Sequence, residues 1–371
     1  MSLPAVILVG GEGTRLRPLT DRTRKDMLTL VDRPLLAYTF EHLSRYGVER
    51  GIVSCGYLPD QISETFGDRH GSLALEYAVE DTPLGTGGAI GFAARDLESS
   101  FYALNGDSLR EADLAELAGH HRSTGAKATI LLTQVADPSR YGLVRLAADG
   151  RVSSFLEKPR PEEIDTDLIN AGMYVLEPEV LDLVPSGRPV SIEREVFPKL
   201  AAEGSVFGVA LPGYWLDVGT PESYLQAQRD VLERSFTTEV GEALGTDFML
   251  VDPSAQVHPD ARLVPPVHVG PGAVVEAGAR AGSLAVIGAG AHLSTGALVE
   301  SSVIGVGARL GRDASVIGSI VGDGAELEAD CEVRNLAVLG PGAWLGAGNV
   351  LDHGLRVGAD QRIPEGALQF S

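Results

Sequence analysis

Short apolar runs alternate with amphipathic stretches over residues 1 to about 230. Residues 5–9 read Ala-Val-Ile-Leu-Val and stop at paired glycines. Residues 35–46 carry apolar side chains at helical spacing up to Gly47, which predicts a helix. Residues 51–55, 101–104 and 127–133 predict strands. Strands alternating with helices predict an α/β fold with a largely parallel sheet, helices on both faces, and ligands at the carboxyl ends of the strands.

From residue 251 the helical pattern is replaced by a period of six. Apolar residues stand at Val251, Val257, Leu263, Val269, Val275, Ala281, Ile287, Leu293 and Val299. A five-residue step leads to Ile304, Leu310 and Val316, and a second leads to Val321, Leu327, Val333, Leu339, Leu345, Leu351, Val357 and Ile363. Four residues after each of these 20 positions the occupant is Ala or Cys in 14 cases. Such a repeat predicts a solenoid of short strands, with the large residue filling the interior, the small one set at a tight corner and Gly supplying the turn. It resembles the hexapeptide-repeat left-handed parallel β-helix, whose three hexapeptides per coil imply six to seven coils here. The expected organisation is a catalytic domain over 1–232, a linker over 233–250 and the β-helix over 251–371.

Composition narrows the function classes. Hydrophobic residues at 44% and charged residues at 22% exclude a disordered chain. A net charge of −21 argues against nucleic acid or an anionic membrane as the main partner. No apolar run reaches the roughly 18 residues of a membrane span, and the N-terminus reads as a first strand instead of a signal peptide. Two cysteines, Cys55 and Cys331, cannot form a disulfide framework, so a reducing cytoplasmic setting is expected.

The first strand runs into Gly10-Gly11-Glu12-Gly13-Thr14-Arg15-Leu16-Arg17-Pro18. Glycines after a strand free backbone amides to approach a phosphate. The loop lacks the Gly-Lys-Ser/Thr of a P-loop, and Leu16 stands where a dinucleotide fingerprint needs its third Gly. Arg15, Arg17, Arg22, Arg24 and Lys25 then place five cations in eleven residues of an acidic protein. Only four lysines occur, Lys25, Lys127, Lys158 and Lys199, and two of them fall in motifs discussed here.

This loop, followed by a lysine two residues before Met27, resembles the signature of the sugar-nucleotide pyrophosphorylases, which join a sugar 1-phosphate to an NTP. Six further motifs agree in order: Pro83-Leu-Gly-Thr-Gly-Gly-Ala89, Asn105-Gly-Asp107, Tyr141-Gly142, Glu157-Lys158-Pro159, Asn170-Ala-Gly172 and Trp215-Leu-Asp217-Val-Gly-Thr-Pro221. The resemblance implies a Rossmann-like nucleotidyltransferase domain with a mixed, mainly parallel sheet. It implies that Gly10, Gly11, Gly13, Thr14, Arg15 and Lys25 hold NTP phosphates, that Gly85, Thr86 and Gly106 line the nucleotide site, and that Asp107 and Asp217 bind Mg²⁺. Gly142, Glu157, Lys158 and Asn170 are then expected at the sugar phosphate. The family's Pro-Lys-Pro-Met/Leu segment is Arg24-Lys25-Asp26-Met27 here. Loss of both prolines predicts a looser loop, and Asp26 predicts a negative charge beside Lys25.

The Pro83–Ala89 loop resembles that of guanylyltransferases acting on mannose or heptose 1-phosphate, so GTP and mannose 1-phosphate are the expected substrates and GDP-mannose the product. Gly85, Gly87 and Gly88 are expected to present backbone groups to the base edge. A thymidylyltransferase acting on glucose 1-phosphate, a bifunctional chain whose β-helix histidines (His258, His268, His292, His353) serve acyl transfer, and a non-catalytic regulatory subunit are the alternatives. The β-helix is expected to drive homo-oligomer formation.

Overall fold

The computed structural model describes residues 2–56, 59–157 and 159–369. They fall into two compact units, residues up to 11 with 36–215, and residues 12–35 with 216 onward.

The first unit is built on a ten-stranded sheet. Ala5–Val9 runs parallel to both of its neighbours, Arg50–Cys55 and Phe101–Asn105, and Arg50–Cys55 is parallel to Leu73–Val79. On the other side Leu168–Leu176 lies antiparallel to Phe101–Asn105 and to Ala128–Gln134, and Gly142–Leu146 pairs antiparallel with Val152–Glu157. The sheet is therefore mixed, with a parallel centre. Val6, Ile52 and Ala103 are register neighbours and bury together with Ile90, Ala93 and Phe197 from helices Gly85–Ala93 and Phe197–Ala202. These β-branched and small residues suit a strand covered by helices. The predicted helix is Leu35–Arg45. Helix Leu114–Thr124 starts where Asp113 accepts a hydrogen bond from the Glu116 amide and stops at Gly125 with φ 63°.

In the second unit, residues from Met249 form a left-handed parallel β-helix of three parallel sheets with seven, seven and six strands. Val275, Leu293, Leu310, Leu327 and Leu345 stand one above another in register, each buried. Ala273, Ala291, Ala308, Ala325 and Ala343, the small residues of the repeat, have no exposed surface. Each large residue buried this way contributes about 1.5–3 kcal/mol, and the interior admits nothing bulkier at the corners. The turn residue before the small one adopts a left-handed conformation, as at Gly272, and non-glycine residues such as Asp313 and Asp330 take the same role. The two five-residue steps are short corners. The Ser302 hydroxyl donates to the Glu300 carbonyl at 2.7 Å and accepts from the Ser319 amide at 3.0 Å, so the two corners are stacked and bonded.

Two boundaries differ from the linear pattern. Residues 233–250 are not a bare linker: Thr238 caps the helix Glu239–Ala243 through the Gly241 amide, Val240 and Leu244 are buried, and the first β-helix strand already starts at Met249. Residues 12–35, expected within the catalytic domain, belong to the same unit as the β-helix. Among the described residues, no helix is long and apolar enough to cross a membrane.

Candidate active site

The first unit gathers several candidate residues at the carboxyl end of its central strands. Leu8 pairs with Asn105, so the loops leaving these two strands, Gly10-Gly11 and Gly106-Asp107, start side by side. The Gly106 amide donates to the Leu8 carbonyl at 2.8 Å. Nothing stands within 4 Å of where a side chain would begin at Gly10 or Gly11, which leaves their backbone open to a ligand. Ser108 Oγ donates to Asp107 Oδ1 at 3.4 Å. The Arg110 guanidinium is buried beneath this turn and its Nη2 donates to the Asn105 carbonyl at 2.8 Å. Burial pushes Arg110 down to about 10, and the Asp107 carboxylate opposes that fall. Among the described residues its Nε and Nη1 find no acceptor.

On the neighbouring antiparallel strand, Asn170 Oδ1 accepts from the Gly172 amide at 2.9 Å and Nδ2 donates to the Tyr174 hydroxyl at 2.8 Å. The Trp215 indole donates to the Ala171 carbonyl at 3.0 Å and meets the Tyr141 ring edge-on at 5.2 Å. Gly142 opposes Glu157 in register. Lys158 lies outside the described residues.

Thr86 opens a further network. Its hydroxyl donates to Glu193 Oε2 at 2.7 Å and accepts from the Ile192 amide at 3.0 Å. Ser191 Oγ donates to the same carboxylate oxygen at 2.7 Å, and the Tyr174 hydroxyl donates to Glu193 Oε1 at 3.5 Å. Glu193 sits in a π-helical turn, Ile192–Val196, a geometry that often marks functional positions. One carboxylate therefore links the Thr86 loop to Asn170 through Tyr174.

The glycines of that loop do something other than expected. At Gly85, with φ 70°, a side chain would come within 2.6 Å of the Val190 carbonyl oxygen. The Gly87 amide donates to that same carbonyl at 2.8 Å, and Gly88 reaches it at 3.4 Å. Close backbone packing against Val190 consumes these amides. The Gly87 and Gly88 amides are thus not free to read a base.

The second unit holds Gly13, Thr14, Arg15, Lys25 and Asp217. Gly13 turns in the left-handed region at φ 60°, and its carbonyl accepts from Thr20 Oγ1 at 2.8 Å. A side chain there would meet Lys25 Cβ at 3.1 Å. Thr14–Leu16 follows as a short 3-10 turn that leaves the Arg15 side chain 60% exposed. Lys25, only 8% exposed, donates to Asp217 Oδ1 at 3.2 Å, and Arg15 Nη2 lies 3.7 Å from Asp217 Oδ2. Gly219 makes room for this cluster, because a side chain there would fall 2.7 Å from Arg15 Nη2.

The segment around Lys25 corrects the expectation of a loose loop. Arg24 and Asp26 form a bidentate ion pair, Nε to Oδ1 and Nη2 to Oδ2, both at 2.9 Å and both buried. Asp26 is neutralised by Arg24, and the pair fixes the 3-10 turn Lys25–Met27 where the family's two prolines stand.

Comparison with known proteins decides the family. Residues 4–234 match the nucleotidyl transferase family model. The chain belongs to that family. Residues 246–341 of this nucleotidyl transferase also match the GMPPB C-terminal domain. Its relatives include a mannose-1-phosphate guanylyltransferase of Mycobacterium tuberculosis, 40% identical over 80% of this chain and 82% of that protein. Mannose-1-phosphate guanylyltransferase 1 of Arabidopsis thaliana is 35% identical over 81% of this chain and 85% of its own length. Among solved structures, HddC from Yersinia pseudotuberculosis, complexed with GMP-PN, is 31% identical with a TM-score of 0.55, covering 62% of this chain and 99% of that one. A UDP-glucose pyrophosphorylase complexed with UDP-glucose, 20% identical at a TM-score of 0.56, shares the fold over 63% of this chain and all of its own.

Sequence motifs did not single out Arg110, Tyr174 or Glu193 in the nucleotidyl transferase. Glu193 is 107 residues from Thr86, so no local spacing marks it. The β-helix histidines are spread over separate coils: His292 is paired with Glu276 at 2.7 Å, and His268 is buried, which pushes its imidazole down.

Proposed function

We propose that this nucleotidyl transferase moves a guanylyl group from GTP to mannose 1-phosphate, giving GDP-mannose and pyrophosphate. The observation that carries this is the set of relatives bearing that name at 35–40% identity over four fifths of the chain. The HddC structure with GMP-PN supports the guanine preference.

An oxygen of the sugar phosphate attacks the α-phosphorus. The new P–O bond forms as the bond to the β-phosphate bridge breaks, and its electron pair leaves with pyrophosphate. The nucleophile is already ionised at neutral pH, so no protein base is needed and catalysis rests on positioning and charge. The Gly10 and Gly11 amides, Gly13, Thr14, Arg15 and Lys25 hold the triphosphate. Gly85, Thr86 and Gly106 line the nucleotide. Gly142, Glu157, Lys158 and Asn170 receive the sugar phosphate.

Mg²⁺ fits the donors present. Among the described residues no group of three or more His, Cys, Asp or Glu is placed to hold a metal ion, and Mg²⁺ needs none, since it keeps waters and is held by one or two carboxylates together with substrate phosphates. Asp107 and Asp217 would be those carboxylates. Bound there, the ion supplies neutralisation of charge on the phosphates. Until then Lys25 and Arg15 occupy the Asp217 oxygens.

Pyrophosphate release measured for GTP, dTTP, UTP and ATP against mannose 1-phosphate and glucose 1-phosphate tests the reading. A kcat/KM favouring dTTP by about tenfold, 1.4 kcal/mol in transition-state terms, overturns it. The β-helix is assigned to self-association in the cytoplasm, where the buried thiols Cys55 and Cys331 stay reduced. Light scattering that finds the full chain monomeric overturns that part.

A further inference from the structure

We propose that Arg356, on the β-helix, is a positioning residue for nucleotidyl transfer, acting through the backbone of the segment that carries Arg15 and Lys25. The proposal rests on the phosphate-holding role given to those two residues above.

Arg356 opens the short strand Arg356–Val357, whose Val357 points into the β-helix interior. Its own side chain is turned outward, and Nη1 donates to two carbonyls at once, Arg15 at 2.8 Å and Arg17 at 2.9 Å. These oxygens are ones the 3-10 turn does not use. The turn closes through Leu16 N to Gly13 O and Arg17 N to Thr14 O, which leaves the Arg15 and Arg17 carbonyls pointing outward. A guanidinium answers both with one charged donor, and hydrogen bonds from a charged group are the stronger kind.

A second tie lies four residues further along the same coil, where Asp360 pairs with Arg22. Gly342, one coil earlier, leaves room for this pair, since a side chain there would meet Asp360 Oδ1 at 2.5 Å and Arg22 Nη1 at 3.4 Å. The stretch from Arg15 to Arg22 is thus fastened at two points to residues 356–360. Both points lie beyond residue 341, where the match to the GMPPB C-terminal domain ends.

The consequence is local and directional. The Arg15 carbonyl is pinned from the β-helix while its side chain stays exposed beside Asp217. Lys25, ten residues on, stands between Arg24 and Asp26, whose buried ion pair flanks its 3-10 turn. Two cations that must meet a triphosphate are carried on a backbone fixed before the substrate arrives, and fixing it beforehand lowers the ordering cost at binding.

The test compares R356M and R356K with the wild-type full chain, and uses R334Q, which cuts an ion pair internal to the β-helix, as control. R356M is expected to lower kcat/KM for GTP about tenfold and shift KM for mannose 1-phosphate less than about twofold. R356K, which keeps a charged donor, recovers most of the loss, and R334Q loses nothing. Hydrogen exchange on the ligand-free chain is read in parallel, with amides of residues 14–22 exchanging faster in R356M. Wild-type kinetics in R356M overturn the proposal, as does an equal loss for both substrates together with a lowered Tm. Unchanged exchange at 14–22 overturns it too. A wild-type chain that does not turn over GTP sinks the functional reading instead, and the exchange measurement still decides whether Arg356 pins the segment.

Discussion

Lys25 and Asp217 are paired across 192 residues of sequence, Nζ to Oδ1 at 3.2 Å, with the lysine almost fully buried. Lys25, proposed above to hold the triphosphate, is thus paired with the carboxylate proposed to take a metal. Asp217→Asn removes the charge and keeps the shape. A loss of about 4 kcal/mol in transition-state stabilisation, roughly a thousandfold in kcat, is expected. Asp107→Asn is expected to lose a similar amount. A correctly folded variant that keeps near wild-type turnover in Mg²⁺ shows the assignment to be wrong.

The Arg24–Asp26 pair lends itself to a double-mutant cycle. Breaking a buried pair by removing one partner leaves an uncompensated charge and costs about 3–5 kcal/mol, whereas removing both partners can cost far less. Asp26→Asn and Arg24→Met are each expected to lower the urea midpoint strongly, with the double variant less destabilised than their sum. Additive losses speak against the coupling.

Glu193 offers a test of the link between the Thr86 loop and Asn170. Glu193→Gln replaces an acceptor of three hydroxyl donors with a group that must donate with one arm. KM for GTP and for the sugar phosphate are both expected to rise, by about tenfold or less. A change confined to one substrate restricts Glu193 to that subsite.

His42 gives the pH dependence. Burial, then the charges of Arg110 and Arg45, push its imidazole down to about 3 from an ordinary 6.5, with Asp113 opposing. The folded state holds it neutral while the unfolded chain takes up a proton below 6.5. Its contribution is therefore intact above pH 6.5 and is lost as pH falls toward 3, at up to about 1.4 kcal/mol per unit. Stability measured against pH is expected to fall less steeply in His42→Phe over that window. Parallel curves for the two proteins rule the histidine out.

Much of this was legible in the sequence, for identifiable reasons. The β-helix shows itself because every interior position, Val275 through Leu345, must be apolar at a fixed period, and the corner residues Ala273 through Ala343 must be small. The glycine loop and Asp107 sit at strand ends, where strand and motif coincide. What stayed hidden depends on partners far apart in the chain. Nothing near Thr86 announces Glu193, and nothing near Arg15 announces the unit that residues 12–35 join. The Arg24–Asp26 pair was hidden differently: two charges in place of two prolines read as looseness until their burial and bidentate geometry show a clamp. The glycines at 87 and 88 were visible, but their neighbour Val190, which takes their amides, was not.

The stacked short corners at Ser302 and Ser319 bind the inheritance of two coils together. The Ser319 amide rests on the Ser302 hydroxyl beneath it. One codon gained near 301 alone would lengthen a single corner, lift that hydroxyl away from the amide above and strand a buried donor. A matching codon gained near 318 would lengthen both corners alike. At this edge of the β-helix the two short corners are therefore expected to accept a change of length together better than singly.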